Sequence, residues 1–97
     1  MHDETQIRQL LDRIRATATD SFVVSISDHF AGYFDELGIT IEVDTYTKDS
    51  QVAALSRKLA ALLLPEQLPS KWMVMFSRNG QSAGVLFPDG MFTGPEP

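Results

Sequence analysis

Apolar residues recur every three or four positions in two long segments of the chain, a spacing typical of amphipathic helices. The first segment is 3–17, and its apolar stripe consists of Ile7, Leu10, Leu11 and Ile14. The second is 50–64, and its stripe consists of Val52, Leu55, Leu59, Leu62 and Leu63. We expect Asp49 or Ser50 to cap the second helix, and Pro65 directly follows its end.

Alternation of apolar and polar residues predicts strands in two further segments. In 21–27 the apolar positions are Phe22, Val24 and Ile26, and in 39–47 they are Ile39, Ile41 and Val43. Successive side chains of a strand point to opposite faces, so one face of each strand should be buried. Glu42 and Asp44 then lie on the solvent face of the second strand.

The segment between these strands, 28–37, is predicted to form a short helix. On a helical projection its large apolar residues fall on one side, opposite Asp28, Asp35 and Glu36. Asp28 can cap the start of this helix, and Gly38 can take the left-handed conformation at its end. Gly32 opposes the helix by about 1 kcal/mol relative to alanine.

Two apolar runs flank Asn79-Gly80 within 71–87, which is the strongest short-range signal for a β-hairpin. Counting outward from a two-residue turn predicts the pairs on each face. One face carries Trp72–Phe87, Val74–Val85 and Phe76–Ala83, and the other carries Met73–Leu86 and Met75–Gly84. Because both faces are apolar, one should cover the core and the other should be covered by a helix or a partner.

Together these segments predict a single α+β domain over residues 1–97 with the order α-β-α-β-α-β-β. We expect a mixed four-stranded sheet with the helices packed mainly on one face. Residues 88–97, which contain several turn formers, should form an irregular tail.

The charge is distributed unevenly along the chain. Residues 16–47 hold six of the thirteen acids and none of the eight bases, so this window carries −6 and the remainder +1, for a net charge of −5. Such a field attracts basic surfaces and repels nucleic acid and anionic membranes, so direct binding to either is not expected. The chain has no cysteine, no signal-peptide pattern and no long apolar run, which predicts a cytoplasmic protein.

Motifs that would carry catalysis, a metal or a cofactor are missing from the sequence. Asp28 and His29 are the one plausible acid–base pair, and a solvated histidine explains them better than catalysis does. Glu42 and Asp44 share a strand face, but no third acid is placed beside them to complete a cation site. There is no glycine-rich phosphate loop. We therefore expect a non-enzymatic protein without metal or cofactor.

The acidic window predicts an interaction face for a protein partner with a basic surface. Its residues would be Asp20, Asp28, Asp35, Glu36, Glu42 and Asp44, with Tyr46 as an aromatic anchor. Regularly spaced carboxylates could take the place of phosphates in the nucleic-acid-binding groove of such a partner. In size, charge and lack of catalytic motifs the chain resembles the small acidic inhibitors of phages and mobile elements. These include anti-CRISPR and anti-restriction DNA mimics and nuclease immunity proteins.

The second apolar face of the hairpin supports an alternative prediction. Met73, Met75 and Leu86 would form an adaptable apolar surface, because methionine side chains are flexible and polarisable. On this interpretation the protein is a small acidic dimeric chaperone or adaptor. The sequence leaves open which face of the hairpin is buried and whether the six acids converge.

Overall fold

The computed structural model describes residues 4–31, 36–65 and 71–94. The elements are α1 (Glu4–Thr17), β1 (Val23–Ala31), β2 (Glu36–Val43), α2 (Asp49–Leu63), β3 (Lys71–Arg78), β4 (Gln81–Leu86) and β5 (Phe92–Thr93). In the described part of the chain the strands form one sheet in the order β1-β2-β3-β4-β5; β2 and β3 run parallel and the other neighbours antiparallel. This confirms a small compact α+β domain with a mixed sheet, although it has five strands rather than four and the order α-β-β-α-β-β-β.

The two long helices form where the apolar spacing predicts them. In α1 the stripe residues Leu10, Leu11 and Ile14 are buried. In α2 the buried stripe residues are Val52, Leu55, Leu59 and Leu63. Asp49 is the first residue of α2 rather than its cap. At this helix start Gln51 Oε1 accepts a hydrogen bond of 2.8 Å from the backbone N–H of Lys48.

The prediction of a helix over 28–37 is wrong, because this segment contains the end of β1 and the beginning of β2. Asp28 pairs with Ile39, and the ladder continues as far as Ala31 opposite Glu36. The alternation of Ile39, Ile41 and Val43 extends back to Leu37, so that a strand buries all four side chains on one face. That burial, together with the helix penalty of Gly32, favours strands. Residues 32–35 lie outside the described residues.

A bulge in β1 reverses the predicted burial of Val24. Val23 pairs with Val43 and Ser25 pairs with Glu42, so that one residue of β1 has no partner on β2. Val24 is this extra residue and is 62% exposed, whereas Val23 packs against the core. A bulge moves the inside-outside alternation by one position, which periodicity in one strand does not reveal.

The hairpin turn is confirmed at Asn79 and Gly80, whose φ angles are 56° and 73°. Its register agrees with counting outward only for Arg78 with Gln81 and Ser77 with Ser82. Beyond these pairs Ala83 is an extra residue in β4, and the ladder shifts. The observed pairs are Phe76–Gly84, Met75–Val85 and Val74–Leu86.

Because of this shift, the predicted pairing of Met73 with Leu86 is wrong. Leu86 is 1% exposed and belongs to the core, and Val85 takes the place opposite Met75. Within the segment 88–97, Phe92 and Thr93 form β5, which pairs with the end of β4.

Both helices pack on one face of the sheet. This face is lined by Leu37, Ile39, Ile41 and Val43 of β2 and by Trp72, Val74 and Phe76 of β3, which join the helix stripes in one core. The opposite face has no helix over it among the described residues. We call it the open face, and it carries the candidate site.

Candidate interaction surfaces

The register assigns the side chains of the open face, because directly paired residues point to the same side of a sheet. On β1 and β2 they are Ser25, Ser27, His29, Gly38, Thr40 and Glu42. On β3, β4 and β5 they are Met73, Met75, Ser77, Ser82, Val85 and Thr93. Every strand therefore contributes a hydroxyl group to the open face, whereas its apolar side chains, Met73, Met75 and Val85, all lie on β3 and β4, which we call the apolar half.

Glu42 lies on the open face near the end of β2, with Ser25 and Ser77 as its neighbours on the adjacent strands. Its side chain is exposed, and Oε2 accepts a hydrogen bond of 3.3 Å from Ser25 Oγ. A carboxylate has two oxygens with about four lone-pair sites in all, so Glu42 can still accept hydrogen bonds from a bound cationic group.

Described cationic side chains belong to the helix side of the molecule. Arg8, Arg13 and Arg15 lie on α1, and Lys48, Arg57 and Lys58 lie at or on α2. Arg78 of β3 also points toward the helices: Nη1 donates to the Thr47 carbonyl oxygen at 2.7 Å, and Nη2 lies 3.0 Å from Asp49 Oδ1. The side chain of Lys71, the first residue of β3, lies outside the described residues. Among the side chains that the structure describes, the open face thus carries a carboxylate and no Lys or Arg.

The acids predicted to form one face do not all converge on it. Asp20 forms an ion pair of 3.0 Å with Lys58 of α2. Asp28, opposite the buried Ile39, points to the helix side and lies 3.5 Å from Arg15 Nη2. Asp35 and the side chain of Glu36 lie outside the described residues. Of the predicted acids that the structure describes, Glu42 is the one on the open face.

Asp44 has a local structural role in the loop between β2 and α2. Its Oδ1 accepts hydrogen bonds from the Tyr46 N–H at 3.0 Å and from Thr47 Oγ1 at 2.7 Å. The hydroxyl of Thr45 donates a hydrogen bond of 2.7 Å to Asn79 Oδ1, which connects this loop to the hairpin turn. Tyr46 is 89% exposed at the centre of the loop, where it is available as a contact residue.

Asp28 and His29 do not form an acid–base pair, because neighbouring residues of a strand point to opposite faces. Asp28 faces α1, and His29 lies on the open face opposite Gly38. Within the described ranges, no three His, Asp or Glu residues come together in a way that could hold a metal ion.

The apolar half of the open face differs from its prediction by one residue. Met73 and Val85 are partly exposed and Met75 is 39% exposed, while Leu86 lies on the core side. Val85 was missed because counting from the turn assumed an unbroken ladder. Gly84, next to the extra residue Ala83, is the sequence signal that could have indicated a bulge.

No helix among the described residues is long and apolar enough to cross a lipid bilayer. Comparison of the chain with protein-family models, with curated proteins and with solved structures gave no match. The function of the protein therefore has to be inferred from its own residues.

Proposed function

We propose that this protein is a non-enzymatic interaction domain that binds a partner with a basic surface through the open face of its sheet. The observation that carries this proposal is the separation of charge across the sheet. Among the described side chains, which do not include those of Glu36 and Lys71, the open face has Glu42 and no Lys or Arg, and the basic side chains are on the helix side.

Binding would begin with electrostatic attraction and end with contacts on the open face. The net charge of −5 draws a basic partner toward the molecule and makes the association rate sensitive to salt. Glu42 would accept hydrogen bonds from a Lys or Arg of the partner, while Met75 and Val85 supply apolar contact. The serine and threonine hydroxyls of β1 and β2 would complete the polar rim.

The inhibitor form of this proposal is that the partner's basic surface is a nucleic-acid-binding groove, occupied in competition with nucleic acid. The acidity of residues 16–47 supports this form. Asp20 and Asp28 already pair with Lys58 and Arg15, so the contribution of these two acids would be long-range attraction rather than direct contact.

A quantitative affinity capture from a lysate of the source organism, read by mass spectrometry, tests the proposal. The wild type is compared with Glu42→Gln and with Asp12→Asn, which removes the same charge from an exposed position on α1. We expect a basic protein that is retained by the wild type and by Asp12→Asn, is depleted about tenfold with Glu42→Gln, and is released by added salt.

Equal capture by Glu42→Gln and the wild type would contradict the proposal. Displacement of the captured protein by duplex DNA or by RNA would separate the inhibitor form from other modes of binding, because a competitive inhibitor cannot share the groove with nucleic acid.

A dimeric adaptor is the second candidate function, and the exposure of Met75 beside Met73 and Val85 favours it. Two copies would pack the apolar halves of their open faces against each other, as two sheets do in a sandwich. Sedimentation velocity should then show a dimer for the wild type and a monomer for Met75→Glu. A wild type that stays monomeric at about 100 μM, far above the Kd of a stable dimer, would count against this candidate.

A further inference from the structure

Phe92 of β5 fills a slot that two glycines and one aromatic ring form beside β4. A Cβ atom on Gly84 would overlap ring carbons Cζ and Cε1 of Phe92, so the ring occupies the space where any other residue would have its side chain. A Cβ on Gly94 would lie 3.0 Å from Cε2 of the same ring. The ring of Phe76 meets that of Phe92 edge-on, with centroids 5.9 Å apart and an interplanar angle of 79°.

The bulge in β4 shapes this slot. Ala83 is the extra residue, and Gly84 follows it with a φ of 145°, a conformation that side-chain-bearing residues rarely adopt. The backbone of β4 therefore leaves room for a flat ring next to the core residue Phe76. Both the conformation and the free space depend on glycine at this position.

The strand that holds the ring is much shorter than the edge on which it lies. β5 pairs with β4 through Val85–Thr93 and Leu86–Phe92, whereas β4 runs from Gln81 to Leu86. Among the described residues, the first half of β4 has no ladder partner on this side, and a longer extended segment could add hydrogen bonds there.

A tight turn keeps β5 in place as an intramolecular ligand. The N–H of Phe87 bonds the Met91 carbonyl oxygen, and the N–H of Gly90 bonds the Phe87 carbonyl oxygen, both at 2.9 Å. Asp89 Oδ1 accepts from the Met91 N–H at 2.9 Å. Such a short tether gives β5 a high effective concentration at the slot, so another strand must compete with it.

We propose that the β4 edge is a strand-addition site for an extended protein segment carrying an aromatic residue, and that β5 occupies this site until such a segment displaces it. The properties expected of the incoming segment are those of β5, which places a phenyl ring over Gly84 and runs antiparallel to β4. The slot for the ring lies on the core side of the sheet, where Phe92 packs, and not on the open face.

The test measures binding of a synthetic peptide to the full chain. The probe is an acetylated and amidated peptide with the sequence DGMFTG, taken from residues 89–94, and the control peptide is DGMATG. Binding is followed by amide chemical shifts of isotope-labelled wild type and Phe92→Ala. We expect the apparent Kd for the probe to be at least about tenfold lower for Phe92→Ala, because its own strand no longer fills the slot. The shifts should lie on β4 and around Phe76.

Three results would overturn the proposal. They are an unchanged spectrum of folded Phe92→Ala at millimolar peptide, equal binding of the control peptide, or shifts located away from β4. If Phe92→Ala does not fold, Phe92→Leu replaces it, because leucine keeps an apolar side chain at this position but not the ring. The probe should then bind Phe92→Leu more tightly than the wild type, and equal binding by the two would again contradict the proposal.

Discussion

Arg15 of α1 forms an ion pair with Asp28 of the edge strand β1, with Arg15 Nη2 3.5 Å from Asp28 Oδ1. Asp28 opposes the buried Ile39 and therefore points inward, toward the helices. In the part of the chain that the structure describes, β1 has a neighbouring strand on one side. An inward-pointing charge on an edge strand hinders the addition of another strand, and the bulge at Val24 acts in the same direction. The pair thus connects the helix layer to this nine-residue edge strand.

Replacing Asp28 should weaken this protection of β1. We expect Asp28→Val to form dimers or larger oligomers, because valine favours strands and removes the charge, while the loss of an exposed ion pair costs at most about 1 kcal/mol. Size-exclusion chromatography with light scattering measures the effect. Asp12→Val is the matched control, since Asp12 also pairs with Arg15 but lies on α1. Equal oligomerisation of the two variants, or none in Asp28→Val, would refute the protective role.

Arg78 should contribute to stability by connecting β3 to the start of α2. It donates to the carbonyl oxygen of Thr47, a residue that is 4% exposed, and lies beside Asp49. We expect Arg78→Gln to lower the free energy of unfolding by about 1–2 kcal/mol, because the half-buried carbonyl loses its donor. Urea denaturation measures this change. The exposed Arg57 supplies the control, and Arg57→Gln should change stability by less than about 0.5 kcal/mol.

Two glycines with positive φ should respond differently to alanine. Gly84→Ala should cost about 2–4 kcal/mol, because the new methyl group adds overlap with the Phe92 ring to backbone strain. Gly80→Ala should cost only about 1 kcal/mol, since its φ of 73° is strained but no atom lies within 4 Å of the added carbon. Thermal unfolding of both variants gives the comparison. Equal losses would mean that the ring does not occupy the space beside Gly84.

Asp44 and Glu42 should differ in their effect on stability, because Asp44 holds the loop after β2 and Glu42 is an exposed candidate contact residue. We expect Asp44→Ala to destabilise the fold by about 1–2 kcal/mol, because the Tyr46 N–H and the Thr47 hydroxyl lose their acceptor. Glu42→Gln should stay within about 0.5 kcal/mol of the wild type, since its side chain is exposed and glutamine can still accept from Ser25. Chemical denaturation distinguishes the two, and a destabilised Glu42→Gln would weaken its use as a binding probe.

The predictions from sequence succeeded where one periodic pattern extends over many residues. The stripe of Leu10, Leu11 and Ile14 and the longer stripe of α2 both became buried helix faces. The Asn79-Gly80 turn also formed as predicted, because its backbone conformation depends on the two residues themselves. Such features are local and need no knowledge of the neighbouring elements.

Predictions failed where pairing with a neighbouring strand determines whether a segment is a helix or a strand, or which of its side chains are buried. The segment 28–37 has apolar spacing compatible with a helix, but pairing of β1 with β2 buries Leu37 beside Ile39 and makes it two strand ends. The two bulges, at Val24 and Ala83, moved Val24 out of the core and Leu86 into it. An unpaired extra residue is defined only by the strand opposite, so periodicity in one strand cannot reveal it.

The sequence by itself therefore determined the two helices, the alternating strand of Ile39, Ile41 and Val43, the hairpin turn and the concentration of acids in residues 16–47. Tertiary structure alone decided which acids point to which side of the sheet, and it turned Asp20 and Asp28 toward Lys58 and Arg15. The physical reason is that a side chain's direction follows from strand register. Register depends on long-range burial and on bulges, which residues distant in the chain impose together.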